Sequence, residues 1–188
     1  MKLYLIRHGE TDWNQQGRLL GFTDIPLNEN GREIAALSAE GMRKRGLCFD
    51  AVYSSPLSRA IETAKILVGE QEILSDDKLK ELNFGDLEGT FCRNVADCPM
   101  PPPNGESLEE LQTRMMNFLD ELIQRGYPEN SRVLVVTHGT AIRSVTAWIK
   151  GLPMFRFWET IAYSNLGVCV LRIQDGSLSI VAENVTYY

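Results

Sequence analysis

The sequence predicts an α/β protein: a three-layer α/β/α sandwich with a mainly parallel central sheet and an antiparallel hairpin at one edge. Three observations carry this. The runs Leu3-Tyr4-Leu5-Ile6 and Val133-Leu134-Val135-Val136 lack apolar/polar alternation, as strands covered on both faces of a parallel sheet do. Amphipathic helical patterns alternate with the strand-like runs, the order that crossover connections impose. Near the end, two further strand-like runs flank Asp175-Gly176, a two-residue hairpin signal.

In chain order, the first run leads straight into Arg7-His8-Gly9. Ligands of open α/β sheets bind beyond the carboxyl ends of the strands, so these residues are expected at a site. Residues 13–26 read as a long polar loop. Asn28 is a helix cap, and the helix after it carries Ile34, Leu37 and Gly41 on one stripe and ends near Arg45-Gly46. Residues 51–54 form the second strand. Ser55-Pro56 then reads as a helix start, with Leu57, Ala60, Ile61, Ala64, Leu67 and Val68 buried. Arg59 falls in the opening turn, where the helix dipole opposes a cation and so points to a nearby anion.

Residues 79–89 contain the acids Glu81, Asp86 and Glu88, which spacing alone does not separate. Residues 90–106 turn to cysteine and proline, with Pro101-Pro102-Pro103 expected as a stiff extended segment. They read as a lid-like excursion over the site. Ser107 to Glu110 form a capping box, followed at helical spacing by Leu108, Leu111, Met115, Phe118 and Leu122. After the run at 133–136 comes a helix expected to face Ala141, Ile142, Val145, Trp148 and Ile149 inward.

At 188 residues the chain suits one domain over 1–188. A net charge of -6 gives no reason to expect nucleic acid or a membrane surface as partner. No secretory pattern opens the chain and no apolar run approaches the ~20 residues of a bilayer span, so a cytoplasmic protein is expected. Cys48, Cys92, Cys98 and Cys169 form no Cys-x-x-Cys pair and read as reduced thiols. An acidic protein that binds phosphate must concentrate its cations locally, which gives Arg7 and Arg59 their weight.

His8 and His138 are the only histidines. Each follows an apolar run and precedes a glycine, so neighbouring strands can carry both rings to one edge of the sheet. The segment Leu5-Ile6-Arg7-His8-Gly9-Glu10-Thr11, followed by Trp13-Asn14, Gly17-Arg18, Leu20-Gly21, Pro26-Leu27 and Gly31, resembles the signature of the histidine phosphatase superfamily. That superfamily also contains the cofactor-dependent phosphoglycerate mutases. Ser54-Ser55-Pro56-Leu57-Ser58-Arg59-Ala60 with Thr63-Ala64 resembles its second block, the acidic stretch at 79–89 its third, and Thr137-His138-Gly139 its fourth. All stand in the family's order.

The resemblance implies phosphoryl transfer through a phosphohistidine. His8 is then the nucleophile, and Arg7 and Arg59 grip phosphoryl oxygens with paired hydrogen bonds. Asn14, Gly21, His138 and the amides after Gly139 complete the phosphate site. The family's Glu in the third block selects Glu81 as proton donor. Phe22, Phe91, Cys92 and Arg93 are candidates to touch the organic part of a small phosphate ester. No metal and no cofactor is expected: the histidines lack His-x-x-x-His spacing and arginines flank them. A non-catalytic phosphate-binding module would need neither a nucleophile nor an acid.

A mutase must hold a doubly phosphorylated intermediate, which demands a second cationic cluster. Between Glu81 and His138 the only cations are Arg93, Arg114, Arg125 and Arg132, without the longer insertion, adjacent arginines and lysine of the mutases. Hydrolysis is therefore expected, with phosphoglycerate mutation as the alternative. The family's phosphatases act on sugar phosphates, phosphoserine and ribazole phosphate, and no residue here selects among them.

Overall fold

The computed structural model describes all 188 residues. Its centre is a six-stranded sheet ordered β3-β2-β4-β1-β5-β6. The strands are β1 Lys2–Arg7, β2 Ala51–Ser54, β3 Leu74–Ser75, β4 Arg132–Thr137, β5 Val168–Gln174 and β6 Ser177–Val185. β1, β2, β3 and β4 run parallel, whereas β5 is antiparallel to β1 and forms the edge hairpin with β6. The hairpin turns at Asp175 and Gly176, both with positive φ, as a type I′ turn requires.

Side chains of the central strands alternate between two cores. Leu3, Leu5, Val133 and Val135 face α4 (Leu108–Gln124) and α5 (Gly139–Ile149) in a cluster of 25 buried residues. Tyr4, Ile6, Leu134 and Val136 face α2 (Glu29–Lys44) and α3 (Ser58–Val68) in a cluster of 12. Each such side chain contributes roughly 1.5–3 kcal/mol on burial, so both faces must be covered and the sandwich has three layers.

The helix ends follow local chemistry. Asn28 caps α2 by accepting the amide of Gly31 at 2.8 Å, and Ser107 with Glu110 forms the reciprocal capping box of α4. Elsewhere tertiary packing overrules local pattern. α2 buries Gly31, Ala35, Ser38, Gly41 and Met42; of the expected stripe Gly41 is buried and Ile34 packs partly buried against the core, but Leu37 is exposed. A Cβ on Gly31 would run into the Glu10 backbone and one on Gly41 into the Tyr187 carbonyl, so the close-packed face of this helix is its small-residue face.

Three further expectations change. α3 begins at Ser58 with Leu57 before it and no side-chain cap, because Ser55 turns its hydroxyl toward His138 instead. Trp148 is exposed although it follows the apolar period of α5. Residues 101–103 do not extend but turn, with the Gly105 amide donating to Pro102 O at 2.9 Å. Within the expected loop at 13–26, residues Asp12–Gln15 form a short helix, α1, capped by Thr11. The four cysteines are free, and the Sγ atoms of Cys92 and Cys98 lie 2.9 Å apart.

Candidate active site

Register places the two histidines. Arg7 pairs with Thr137 across β1 and β4, so His8 and His138 leave adjacent parallel strands at the same level. Their ring centroids are 5.0 Å apart. His8 Nδ1 lies 2.7 Å from the carbonyl oxygen of Gly9. A carbonyl only accepts, so Nδ1 carries the proton and Nε2 of the neutral ring keeps its lone pair. Burial and then the charges of Arg59 and Arg7 hold His8 well below the ordinary histidine range, which keeps the ring neutral.

His138 is held low in the same direction by burial and then by Arg59. Its Nε2 is 2.8 Å from Ser55 Oγ, while its Nδ1 has no partner. His138 is fully buried and stands behind the cavity wall rather than on it. The first turn of α5 lies in front, where a Cβ added to Gly139 would come 3.6 Å from the Arg7 side chain.

Arg7 donates from Nη1 to the Tyr163 carbonyl at 2.6 Å. Arg59, fully buried, donates to the carbonyls of Thr23 at 2.9 Å and Gly21 at 2.7 Å. The Nε atoms of both arginines are buried without a partner, the arrangement of cations held in place for an anion. Burial pushes Arg59 down to about 10, still charged at neutral pH. Gly21 has φ +59°, and a Cβ there would collide with the Glu88 carboxylate; only glycine fits both the turn and the approach.

The three acids of residues 79–89 separate by position. Glu81 accepts the amides of Thr140 and Ala141, each at 3.2 Å, at the start of α5, and borders the cavity. Glu88 instead accepts amides of Phe22, Thr23 and Phe84, and Asp86 accepts from Asn104. Arg114, one of the sparse cations noted above, is committed to Glu106 and to the carbonyls of Lys78, Lys80 and Glu81. It fixes the backbone of the Glu81 segment.

These side chains surround a cavity of about 180 Å³ whose wall includes Arg7, His8, Asn14, Gly21, Arg59, Glu81 and Gly139. Asn14 Oδ1 accepts from the Thr11 amide and hydroxyl, so its Nδ2 is left to donate elsewhere. Phe22, Phe91, Cys92 and Arg93 are not on the wall; Phe91 is 70% exposed on the outer surface. The outer wall is built by Arg18, Leu20, Phe84, Val95, Arg143, Trp158, Ala162 and Tyr163, and residues 90–106 contribute Val95 alone.

Sequence reasoning missed Ser55, Arg143, Trp158, Tyr163 and Asn165, whose Nδ2 donates to His8 O at 2.9 Å. Arg143 had a signal, since one helical turn separates it from Gly139 on the face that opens the helix. Trp158 lies in a short 3-10 helix, Met154–Glu159, and Ser55, Tyr163 and Asn165 lie in connecting segments with no period to read. Nowhere do three His, Cys, Asp or Glu side chains gather as metal ligands would, and no helix is long and apolar enough to cross a membrane.

An α/β sheet whose adjacent parallel strands β1 and β4 carry Arg7 and two histidines to one edge, where Arg59 of α3 and the carboxyl group of Glu81 join them, defines a phosphomonoesterase-type enzyme. The chain belongs to branch 1 of the histidine phosphatase superfamily, whose family model matches residues 3–186. A 2,3-bisphosphoglycerate-dependent phosphoglycerate mutase of Parvibaculum lavamentivorans is 32% identical over 80% of each chain. Phosphoserine phosphatase of Entamoeba histolytica, solved with 3-phosphoglyceric acid, superposes with a TM-score of 0.84 at 29% identity, covering 98% of this chain and 97% of the other. Mycobacterial glucosyl-3-phosphoglycerate phosphatase, solved with VO3, gives a TM-score of 0.85 at 28% identity, with 98% of each chain covered.

Proposed function

We propose that this chain hydrolyses a small phosphate monoester through a phosphohistidine at His8, without a metal. The observation that carries this reading is the His8 Nδ1 to Gly9 O hydrogen bond, which leaves Nε2 with a free lone pair in a ring kept neutral by burial and by Arg59 and Arg7. Nε2 attacks phosphorus, the P–O ester bond breaks, and its electron pair leaves with the alkoxide, which takes a proton from Glu81. Water then attacks the phosphohistidine with Glu81 as base, the P–N bond breaks, and inorganic phosphate departs.

Arg7 and Arg59 hold the equatorial oxygens while charge develops on them, and Asn14 Nδ2 and the Gly139 end of α5 complete the cradle. Gly21 lets the loop carbonyl reach Arg59. Ser55 Oγ accepts the Leu57 amide at 3.4 Å, so its own proton is available to His138 Nε2, which leaves His138 Nδ1–H as a donor. The relatives named for phosphatases of small phosphate esters support the substrate class. The cavity supports it too, being smaller than the ~300–1,000 Å³ of sites for drug-sized ligands.

The test is turnover of a panel of phosphorylated metabolites by wild type and His8→Ala, with rapid acid-free quench and mass spectrometry of the protein. Phosphate release with a transient phosphate adduct on His8 is the expected result. Turnover without that adduct, or undiminished turnover by His8→Ala, overturns the mechanism. Interconversion of 2- and 3-phosphoglycerate without net phosphate release transfers the chain to the mutase reading.

A further inference from the structure

We propose that Thr63 is a positioning residue for the reaction: with Asn165 it clamps the peptide that joins His8 to Gly9, and so fixes the orientation and tautomer in which His8 meets phosphorus. This deepens the hydrolase reading above and rests on it.

The need for a clamp arises where the strand stops. β1 ends at Arg7, and the His8 amide makes the last bond to β4, donating to the Thr137 carbonyl at 3.0 Å. The next peptide runs from the His8 carbonyl to the Gly9 amide and lies beyond the sheet. Its buried polar groups still need partners. Glycine is required at residue 9, because a Cβ there would come within 2.8 Å of the Gly31 carbonyl oxygen, yet glycine leaves the backbone free to rotate. That freedom bears on the ring, since His8 Nδ1 binds the Gly9 carbonyl oxygen at 2.7 Å.

Two side chains distant in sequence quench it. Thr63 Oγ1 accepts the Gly9 amide at 3.0 Å, and Asn165 Nδ2 donates to the His8 carbonyl at 2.9 Å. The bonds take opposite ends of one peptide, so its plane cannot turn without breaking one of them. Thr63 is fully buried on α3 and donates its hydroxyl proton to the Arg59 carbonyl at 2.6 Å. With that proton committed, the hydroxyl can only accept from Gly9. A threonine serving its helix alone would need the Arg59 carbonyl and nothing more; the Gly9 amide is the added partner. One helical turn thus carries both a cation of the phosphate cradle and the group that orients the nucleophile's backbone.

Loss of the hydroxyl should act on the ring and not on phosphate binding. Without its acceptor the Gly9 amide is buried unpaired, a state the segment relieves by rotating toward another partner. The Gly9 carbonyl then leaves His8 Nδ1, and a neutral imidazole without that acceptor populates both tautomers. The Nε2–H form has no lone pair on the attacking nitrogen. Arg59 meanwhile stays tied to the carbonyls of Gly21 and Thr23.

The experiment compares Thr63→Val, which keeps the shape and removes the hydroxyl, with Thr63→Ser, which keeps the hydroxyl, and with Asn165→Ala at the other end of the peptide. Three quantities are read: kcat on p-nitrophenyl phosphate, inhibition by inorganic phosphate, and NMR of isotope-labelled imidazole nitrogens at neutral pH without substrate. The chain has two histidines, so His8→Ala assigns the signals. Thr63→Val is expected to lower kcat about 10- to 100-fold, the scale of a misplaced reacting group. Its phosphate inhibition constant should stay near that of wild type, while His8 changes from the Nδ1–H form to a mixture. Thr63→Ser should restore both kcat and tautomer, and Asn165→Ala should change them in the direction of Thr63→Val.

A Thr63→Val protein that melts earlier but keeps the Nδ1–H tautomer and wild-type kcat overturns the inference, because the residue is then structural only. A phosphate inhibition constant that rises in step with the loss of kcat assigns the effect to Arg59 and also overturns it, as does failure of Thr63→Ser to restore turnover. Should Thr63→Val not fold, Asn165→Ala decides the matter, and unchanged tautomer and kcat there defeat the clamp. If wild type turns over no ester while Thr63→Val still loses the Nδ1–H form, the hydrolase reading fails and the clamp stands.

Discussion

Glu88 and Arg59 make no ion pair with each other, yet they hold the same stretch of backbone from opposite sides. Glu88 accepts the amides of Phe22 and Thr23, at 2.8 Å each, and the Thr23 hydroxyl. Arg59 donates to the carbonyls of Gly21 and Thr23. The loop is thus the splint through which a carboxylate outside the cavity wall sets the position of a cation on it.

Glu88→Gln removes one acceptor oxygen and a charge from this splint and leaves loop amides without partners. A loss of about 1–3 kcal/mol in stability is expected, with a rise of roughly tenfold in KM and in the inhibition constant of inorganic phosphate. Equilibrium unfolding and phosphate inhibition measure the two effects. A loss of stability with unchanged phosphate affinity would show that Arg59 is positioned without the loop.

Glu81→Gln keeps the shape of the side chain and removes the transferable proton. Turnover of an alkyl phosphate is expected to fall by about 10²- to 10⁴-fold, and that of p-nitrophenyl phosphate by much less, because nitrophenolate leaves without protonation. Steady-state kinetics on the two esters provide the check, and equal losses would remove Glu81 from the role of acid.

His8→Ala should lower kcat by at least ~10³-fold, the scale for loss of a nucleophile. Phosphate should still bind, since Arg7 and Arg59 remain. Calorimetry with inorganic phosphate and single-turnover quench separate the two outcomes.

Acid stability follows from the buried rings. Both His8 and His138 titrate well below 6.5 in the fold, while in the unfolded chain they titrate near 6.5. Below pH 6.5 the unfolded state therefore binds more protons, and stability falls as pH falls. The slope is up to about 1.4 kcal/mol per pH unit for each ring, down to the folded-state value. Above about pH 7 these rings contribute no pH dependence. Urea unfolding between pH 5 and 7.5 measures this, and His8→Ala should remove about half of the slope. For the same reason kcat/KM should show no loss from His8 protonation near pH 6.5.

The order of strands and helices, the caps at Asn28 and Ser107 and the hairpin at Asp175-Gly176 were legible because each depends on neighbours a few residues away. So was the pairing of His8 with His138, because equal positions at the ends of two apolar runs become equal heights once the strands pair. The inward face of α2 was legible only in part, since it was decided by how closely a helix can approach the Glu10 and Tyr187 backbones. The start of α3 was not legible, because Ser55 faces His138, 83 residues away in the chain.

By itself, then, the sequence determined the sheet and the residues that stand at the strand ends, which are encoded in local pattern and spacing, while the class of chemistry came from the resemblance of its four motif blocks to the histidine phosphatase superfamily. Only the tertiary structure decided which of Glu81, Asp86 and Glu88 borders the cavity, and that the outer wall comes from Arg143, Trp158 and Tyr163 rather than Phe22 and Phe91. The reason is physical: a side chain's direction in an irregular segment is set by its long-range hydrogen-bond partners, and those exist only after the chain has closed on itself.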